Sequence, residues 1–421
     1  MSSIIHLVLL RSWNHSEKSM AACNFGLRVR RKGRGVLAGL ALGALIGCSS
    51  PADDGSPMGA MGGGGSTGGT AGQHPGGSAG APVDGGTGMP DGAGAVDAGP
   101  ATLIDDPLGA PPMNLADVGI FTAMPDTTKT HARAFYYEPK HPLWSNGLDK
   151  SRFMVLPQGK TIDTTVRDGW DFPVGTLFFK TFSYQNAAGK LTPVETRLIR
   201  RVSTTGEIYE QWEFYVYQWN AEATAATLAD IKVRIPRDVF IDGKMITHNI
   251  PKQADCWNCH IANKSPIIGF DELRLNSRLT GQTAFQLDVV IGKGWLTAPP
   301  PKPWVAITDP DPLQEQAFQY IQANCVHCHN GEQEPREPGA RYPKLDLRWD
   351  HVLQQTINKM TETVGTGTGI RIVPGDPSKS LLYVAMSRQN VEVKPMPLVG
   401  VDLVDAKGLK LIGDWITALK K

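Results

Sequence analysis

Two copies of one short pattern constrain this chain more than anything else in it: Cys256-Trp-Asn-Cys259-His260 and Cys325-Val-His-Cys328-His329. In each, two thiols stand about one helical turn apart, and an imidazole directly follows the second. C-x-x-C-H is the attachment signature of c-type haem: the thiols bond the vinyl groups and the adjacent histidine lies beneath the iron as axial ligand. The spacing predicts two covalently attached haem c groups, with thioethers at Cys256, Cys259, Cys325 and Cys328 and iron ligands His260 and His329. Paired cysteines also serve other chemistries. Two C-x-x-C pairs can close a tetrahedral zinc site. Here, however, 65 residues separate the pairs, long for a zinc ribbon, and zinc has no need of a histidine after each. A dithiol redox motif is expected beside a βαβ pattern, and neither copy has one.

Six cysteines in an exported chain would ordinarily suggest disulfides, yet none is left over for one. Cys23 falls in a leading segment, residues 1–47, that holds 7 Lys/Arg against 1 acid. The basic cluster Arg28 to Arg34 is followed by an apolar run, Val36 to Ile46, of only eleven residues. That run is too short to span a bilayer as a helix and suits the apolar segment of a signal peptide. The basic cluster lies far from Met1, so Met20 is a second candidate start. Leu45-Ile-Gly-Cys48 resembles a bacterial lipobox, which implies cleavage before Cys48 and lipidation of that cysteine. The expected location is the periplasm or cell surface, lipid-anchored. Ser49 in place of a retention aspartate favours the outer membrane.

Composition divides the rest. Residues 49–100 hold 18 of the 46 glycines, 5 Asp, and no Lys, Arg or aromatic residue. So few apolar side chains cannot offset chain entropy, and a disordered tether with a reach of roughly 40 Å is predicted. Residues 101–421 hold 35 basic and 35 acidic groups. That balance argues against a nucleic-acid partner. The predicted organisation is a signal over 1–47, a tether over 48–110, a β-rich domain over 111–250, a first haem segment with a Pro-rich connector over 251–312, and a second haem domain over 313–421.

In that last domain Leu313 to Ala323 reads as a helix leading into Cys325, with Phe318 and Ile321 on one face. Pro374-Gly-Asp-Pro-Ser378 offers a turn and N-cap for a helix through about Met386. Lys394-Pro-Met396-Pro397 is an extended methionine-bearing segment, and Leu409, Ile412, Trp415, Ile416 and Leu419 mark a closing amphipathic helix. The order resembles the class I cytochrome c fold. That resemblance implies that His329 is the proximal ligand and Met396 the distal ligand of the second iron. Met386 reads as core, Met360 lies outside the ligand loop, and His327 reads as solvated or beside a propionate.

The first haem lacks an obvious distal ligand, because no methionine or histidine lies between His260 and Leu313. Candidates are His248, eight residues before Cys256, or Met245, His141 and His131 further upstream. A crossing residue such as His351 or Met360, a lysine, water or an open position are the other options. The stiff Pro-rich connector predicts a defined relation between the two haem units.

Residues 115–250 read as β-rich. Gly175 to Tyr184, Glu195 to Ser203 and Glu207 to Trp219 are dense in β-branched and aromatic residues, with turns between them. In the third run Ile208, Trp212, Phe214 and Val216 alternate with polar residues, as in the wall of a sandwich or barrel. Its aromatics read as core, with a substrate-binding face as the alternative. The predicted class is therefore α+β: a β-rich N-terminal domain followed by mainly α-helical cytochrome c-type haem domains. Trp144-Ser-Asn-Gly147, Phe172-Pro-Val-Gly-Thr176, Glu195-Thr-Arg197, Trp219-Asn220, Ile250-Pro251, Pro374-Gly-Asp376 and Met396-Pro397 together resemble a family of bacterial di-haem c-type cytochromes. The function that follows is electron transfer between exported redox proteins, the membrane reached through the lipid anchor. Alternatives are a di-haem peroxidase or oxidase with an open first haem, and a redox relay attached to a substrate-binding β domain.

Overall fold

The computed structural model describes residues 103–104, 109–241, 243–261, 265–331, 345–361 and 369–420, all within one compact unit, Pro90–Lys421. The predicted signal, Cys48 and most of the predicted tether lie outside the described residues. A one-turn helix α1 (Leu115–Val118) precedes the strands β1 (Phe135–Tyr136), β2 (Asp149–Val155), β3 (Leu177–Gln185) and β4 (Leu191–Arg201). A helical turn α2 (Ile208–Gln211) leads into β5 (Trp212–Trp219), and β6 (Ala226–Leu228) follows. The six strands form one antiparallel sheet in chain order.

Period-two alternation gives the sheet two apolar faces. Phe153, Val155, Phe179, Leu198, Tyr217 and Trp219 face a core closed by α1 and Phe121. Met154, Phe178, Trp212 and Phe214 face the other way. Because Trp212, Tyr217 and Trp219 are fully buried, these aromatics are core and line no substrate face. The run over 207–219 is not one strand, as its alternation suggests. Gly206 takes a left-handed φ of 84° and Glu207 and Glu210 close a capping box, so residues 208–211 coil before β5 begins.

A hairpin of β7 (Ile235–Ile241) and β8 (Lys244–Ile250) packs through Val239 against Phe182 and Val194. The chain then enters α3 (Gln253–His260), α4 (Glu272–Leu275) and α5 (Gln286–Gly292). Cys256, Phe270, Leu275, Leu287 and Leu296 join Met154, Phe178 and Phe214 in a single core. The segment carrying the first C-x-x-C-H motif thus completes the core of the sheet instead of building its own. Its Pro-rich exit is tied down: Val305 N donates to Glu272 Oε1 at 2.8 Å and Trp304 Nε1 to Pro300 O at 3.3 Å.

Among the described residues four α-helices follow: α6 (Pro312–Asn324), α7 (Val352–Thr356), α8 (Leu381–Ser387) and α9 (Ala406–Ala418). Helix α9 crosses α6, with Phe318 and Trp415 edge to face at 5.9 Å and Trp415 Nε1 donating to Gln314 Oε1 at 3.3 Å. The expectation of mainly α-helical haem domains is nevertheless overturned. Helix accounts for 23% of the described chain, and the longest helices, α6 and α9, have 13 residues each. The physical reason is local. Prolines 299–301, 303, 374, 377, 395 and 397 remove backbone donors, and glycines 269, 281, 294, 375 and 400 sit at left-handed φ, so turns close before helices propagate. The described protein is a β-rich antiparallel sheet with short helices against it. Among the described residues no helix is long and apolar enough to cross a membrane.

Candidate functional site

Helix α3 is short because it is bounded on both sides. Lys252 stands at its N-cap, and Asp255 in its first turn is held by Arg234 through Nε at 2.6 Å and Nη2 at 3.0 Å. Its sequence places Cys256 and Cys259 one turn apart and ends the helix at His260. Phe214 of β5 anchors it, with ring centroids 4.5 Å from Trp257 and 5.0 Å from His260. His260 Nδ1 lies 2.5 Å from the carbonyl oxygen of Pro266. That bond requires the proton on Nδ1 and leaves the lone pair on Nε2, the form in which an imidazole ligates a metal. Burial pushes the His260 pKa down to about 4, so the ring is neutral at physiological pH.

The second motif continues α6 by one turn. Cys325 N donates to Ile321 O at 2.8 Å and His329 N to Cys325 O at 2.9 Å, which carries the motif around and ends it in a bridge between Asn330 and Asp346. Burial lowers the His329 pKa to about 4, and its buried Nδ1 has no hydrogen-bond partner among the described residues. Burial also raises the thiols of Cys256 and Cys325, to about 11 and about 12.

The two motifs meet. Cys328 Sγ donates to Asn258 O at 3.2 Å, and ligand atoms of Cys259, His327 and Cys328 all lie within 4.8 Å of one another. The hydrogen bond between the two sulfurs holds Cys259 well below the usual thiol range and drives Cys328 up. His327 is therefore neither solvated nor at the surface: it is 5% exposed, because the motif turn aims it into the first motif.

The candidate distal ligands are placed as follows. Met396 is half-buried in a loop pinned to α8: its N donates to Ala385 O at 3.1 Å, and Arg388 holds Pro397 O and Val401 O at 3.0 and 2.8 Å. Met386 is core. Met245 and Met360 are exposed, and His351 pairs through Nδ1 with Asp346. His131 Nδ1 accepts from Arg133 N. His141 feels Glu315 near the start of α6, roughly 15 Å along the axis from Cys325.

His248 is fully buried with both ring nitrogens engaged, Nε2 to Glu195 Oε1 at 2.9 Å and Nδ1 to Asn146 Nδ2 at 3.5 Å. Glu195 also takes a two-pronged bond from Arg197 at 2.7 and 2.9 Å. Burial alone would raise its pKa, but Arg197 and His248 hold it down, at about 2. Asn146 reaches further. Its side-chain oxygen accepts from Asp402 N and Leu403 N at 2.8 and 3.1 Å, clamping the loop before α9 onto the sheet domain. Asn146 and Glu195 sit inside the segments Trp144 to Gly147 and Glu195 to Arg197, which the sequence singles out without giving either a role.

Comparison with protein-family profiles, curated proteins and solved structures finds no match to this chain.

Proposed function

We propose that this chain is a two-haem c-type electron carrier, exported, lipid-anchored at Cys48, and exchanging electrons with other redox proteins. The observation that carries the reading is the contact between two complete C-x-x-C-H motifs that lie far apart in sequence. Haem bound there would supply one-electron exchange. The chain's own residues fit such a group. Cys256 and Cys259 are offered from one helix, and the Pro266 carbonyl orients His260 with its Nε2 lone pair available. Burial keeps His260 and His329 neutral, as ligation requires. Phe214 packs against Trp257 and His260 beside the first motif. Met396 is the candidate second ligand to the iron at His329.

One observation favours a second reading. Cys259, His327 and Cys328 group closely enough to hold a single transition-metal ion. That reading leaves Cys256, His260, Cys325 and His329 without a task. Iron and zinc content, measured on protein purified from a host that matures c-type cytochromes, separates the two. Two irons per chain and a reduced haem c spectrum are expected. One zinc and no haem would overturn the proposal.

A further inference from the structure

Strands β2, β3 and β4 place three cations in one row. Arg152 lies directly opposite Lys180, and Lys180 directly opposite Arg197, all on the sheet face that carries Phe214 and α3. Lys150 is one step along the same face of β2. Like charges facing one another across strands are destabilising, and three in a row away from bulk water more so. One fully buried carboxylate, Glu195, answers them, and it is already committed to Arg197 and His248. Among the described residues Arg152 and Lys180 have no ion pair: Arg152 reaches Lys150 O at 3.4 Å and Lys180 Nζ stands 4.7 Å over the Phe182 ring. The row also borders the first motif, since Lys180 acts electrostatically on His260, and Arg197 on Cys256 and Cys259. Burial and the neighbouring Arg152, Arg197 and Lys150 push Lys180 well below its ordinary range, and burial lowers Arg152. The row therefore disfavours its own charge unless an anion is seated against it.

We infer that Arg152, Lys180 and Arg197 form the seat for the propionate carboxylates of the haem attached at Cys256 and Cys259. The inference rests on the haem reading of that motif. Glu138, beside Tyr136 and Tyr137, acts on Arg152 and Glu195 acts on Lys180, but among the described residues neither carboxylate forms an ion pair with them. Two further carboxylates match the two basic groups that remain unpaired there, and charge-assisted hydrogen bonds from guanidinium and ammonium are the strong ones. The seat would fix how that haem turns about its thioether edge and raise its potential by favouring the extra electron.

The test is a potentiometric titration of the full haem-loaded protein, wild type against Lys180→Gln and Arg152→Gln, with Lys180→Arg as the charge-keeping control. Loss of either cation is expected to lower the midpoint of one haem only. The oxidised-to-reduced ratio at fixed potential should shift about tenfold, ~59 mV for a one-electron couple. The pH-dependent step of that haem should move to higher pH, because the carboxylate loses its cation. Lys180→Arg should restore both. Haem-loaded variants with unchanged potentials and pH dependence would overturn the seat while leaving the motif reading intact. A switch of spin state in Lys180→Gln would put the amine on the iron and also overturn it. A wild-type chain without covalent haem would remove the motif reading itself.

Discussion

Glu195 shows what a single buried charge does in this fold. Its two oxygens take Arg197 and its neighbour His248, and His248 hands the network on to Asn146 and the loop before α9. Replacing it by Gln would leave Arg197 and the cation row unanswered. Breaking a buried pair from one side costs roughly 3–5 kcal/mol, and Arg197, a quarter exposed, argues for about 3. Urea unfolding of Glu195→Gln against wild type measures this, and a loss below about 1 kcal/mol would deny the network its role. At this scale the two C-x-x-C-H motifs were legible because their residues lie side by side in the chain. The partners of His248 were not: Glu195 lies 53 residues away and Asn146 102, so no local pattern reveals them.

Helices α6 and α9 cross where the sequence supplies a glycine. A methyl group at Gly408 would overlap the ring of Tyr320, whose hydroxyl donates to Asp405 Oδ2 at 3.1 Å. Asp405 in turn caps α9 by accepting from Gly408 N at 3.0 Å. Gly408→Ala therefore forces the ring aside and should destabilise by about 1–3 kcal/mol, despite alanine's better helix propensity. Thermal melting checks it: a Tm at or above wild type would show that the crossing is looser than described. The two long helices and the three central strands β3, β4 and β5 were visible in periodicity, whereas β1, β2 and β6 were not. The coil over 208–211 was not, because a capping box and one left-handed glycine outweighed an apparently continuous alternation. Short helices were overestimated as helical domains for the opposite reason: apolar spacing was read where proline and glycine set the limits.

Across the whole molecule the first C-x-x-C-H motif belongs to the sheet's core, a packing fact between residues as distant in the chain as Tyr137 and Leu296 that segment-by-segment reading of composition divides at residue 250. Burying carboxylates against cations also sets its acid tolerance. Glu195 falls from 4.5 to about 2, and Asp346, burial notwithstanding, from 3.8 to about 2 through Arg348 and His351. Folded values below unfolded ones mean stability that is present above the ordinary values and lost as pH falls through them toward the depressed ones. Neutral His260 and His329, lowered to about 4 by burial, act in the same sense below the ordinary imidazole value. Unfolding free energy should thus fall steadily from about pH 6.5 to 2, with a shallower fall below about pH 4.5 in Glu195→Gln. A flat profile across that window would contradict the assignment. The contact between motifs is the other whole-molecule feature, and it makes both C-x-x-C-H motifs parts of one cluster. Intact mass spectrometry of chain matured with haem tests this most directly. Wild type should carry two haems, and Cys256→Ser/Cys259→Ser and Cys325→Ser/Cys328→Ser one each. A wild-type mass equal to that of the bare processed polypeptide would contradict the account.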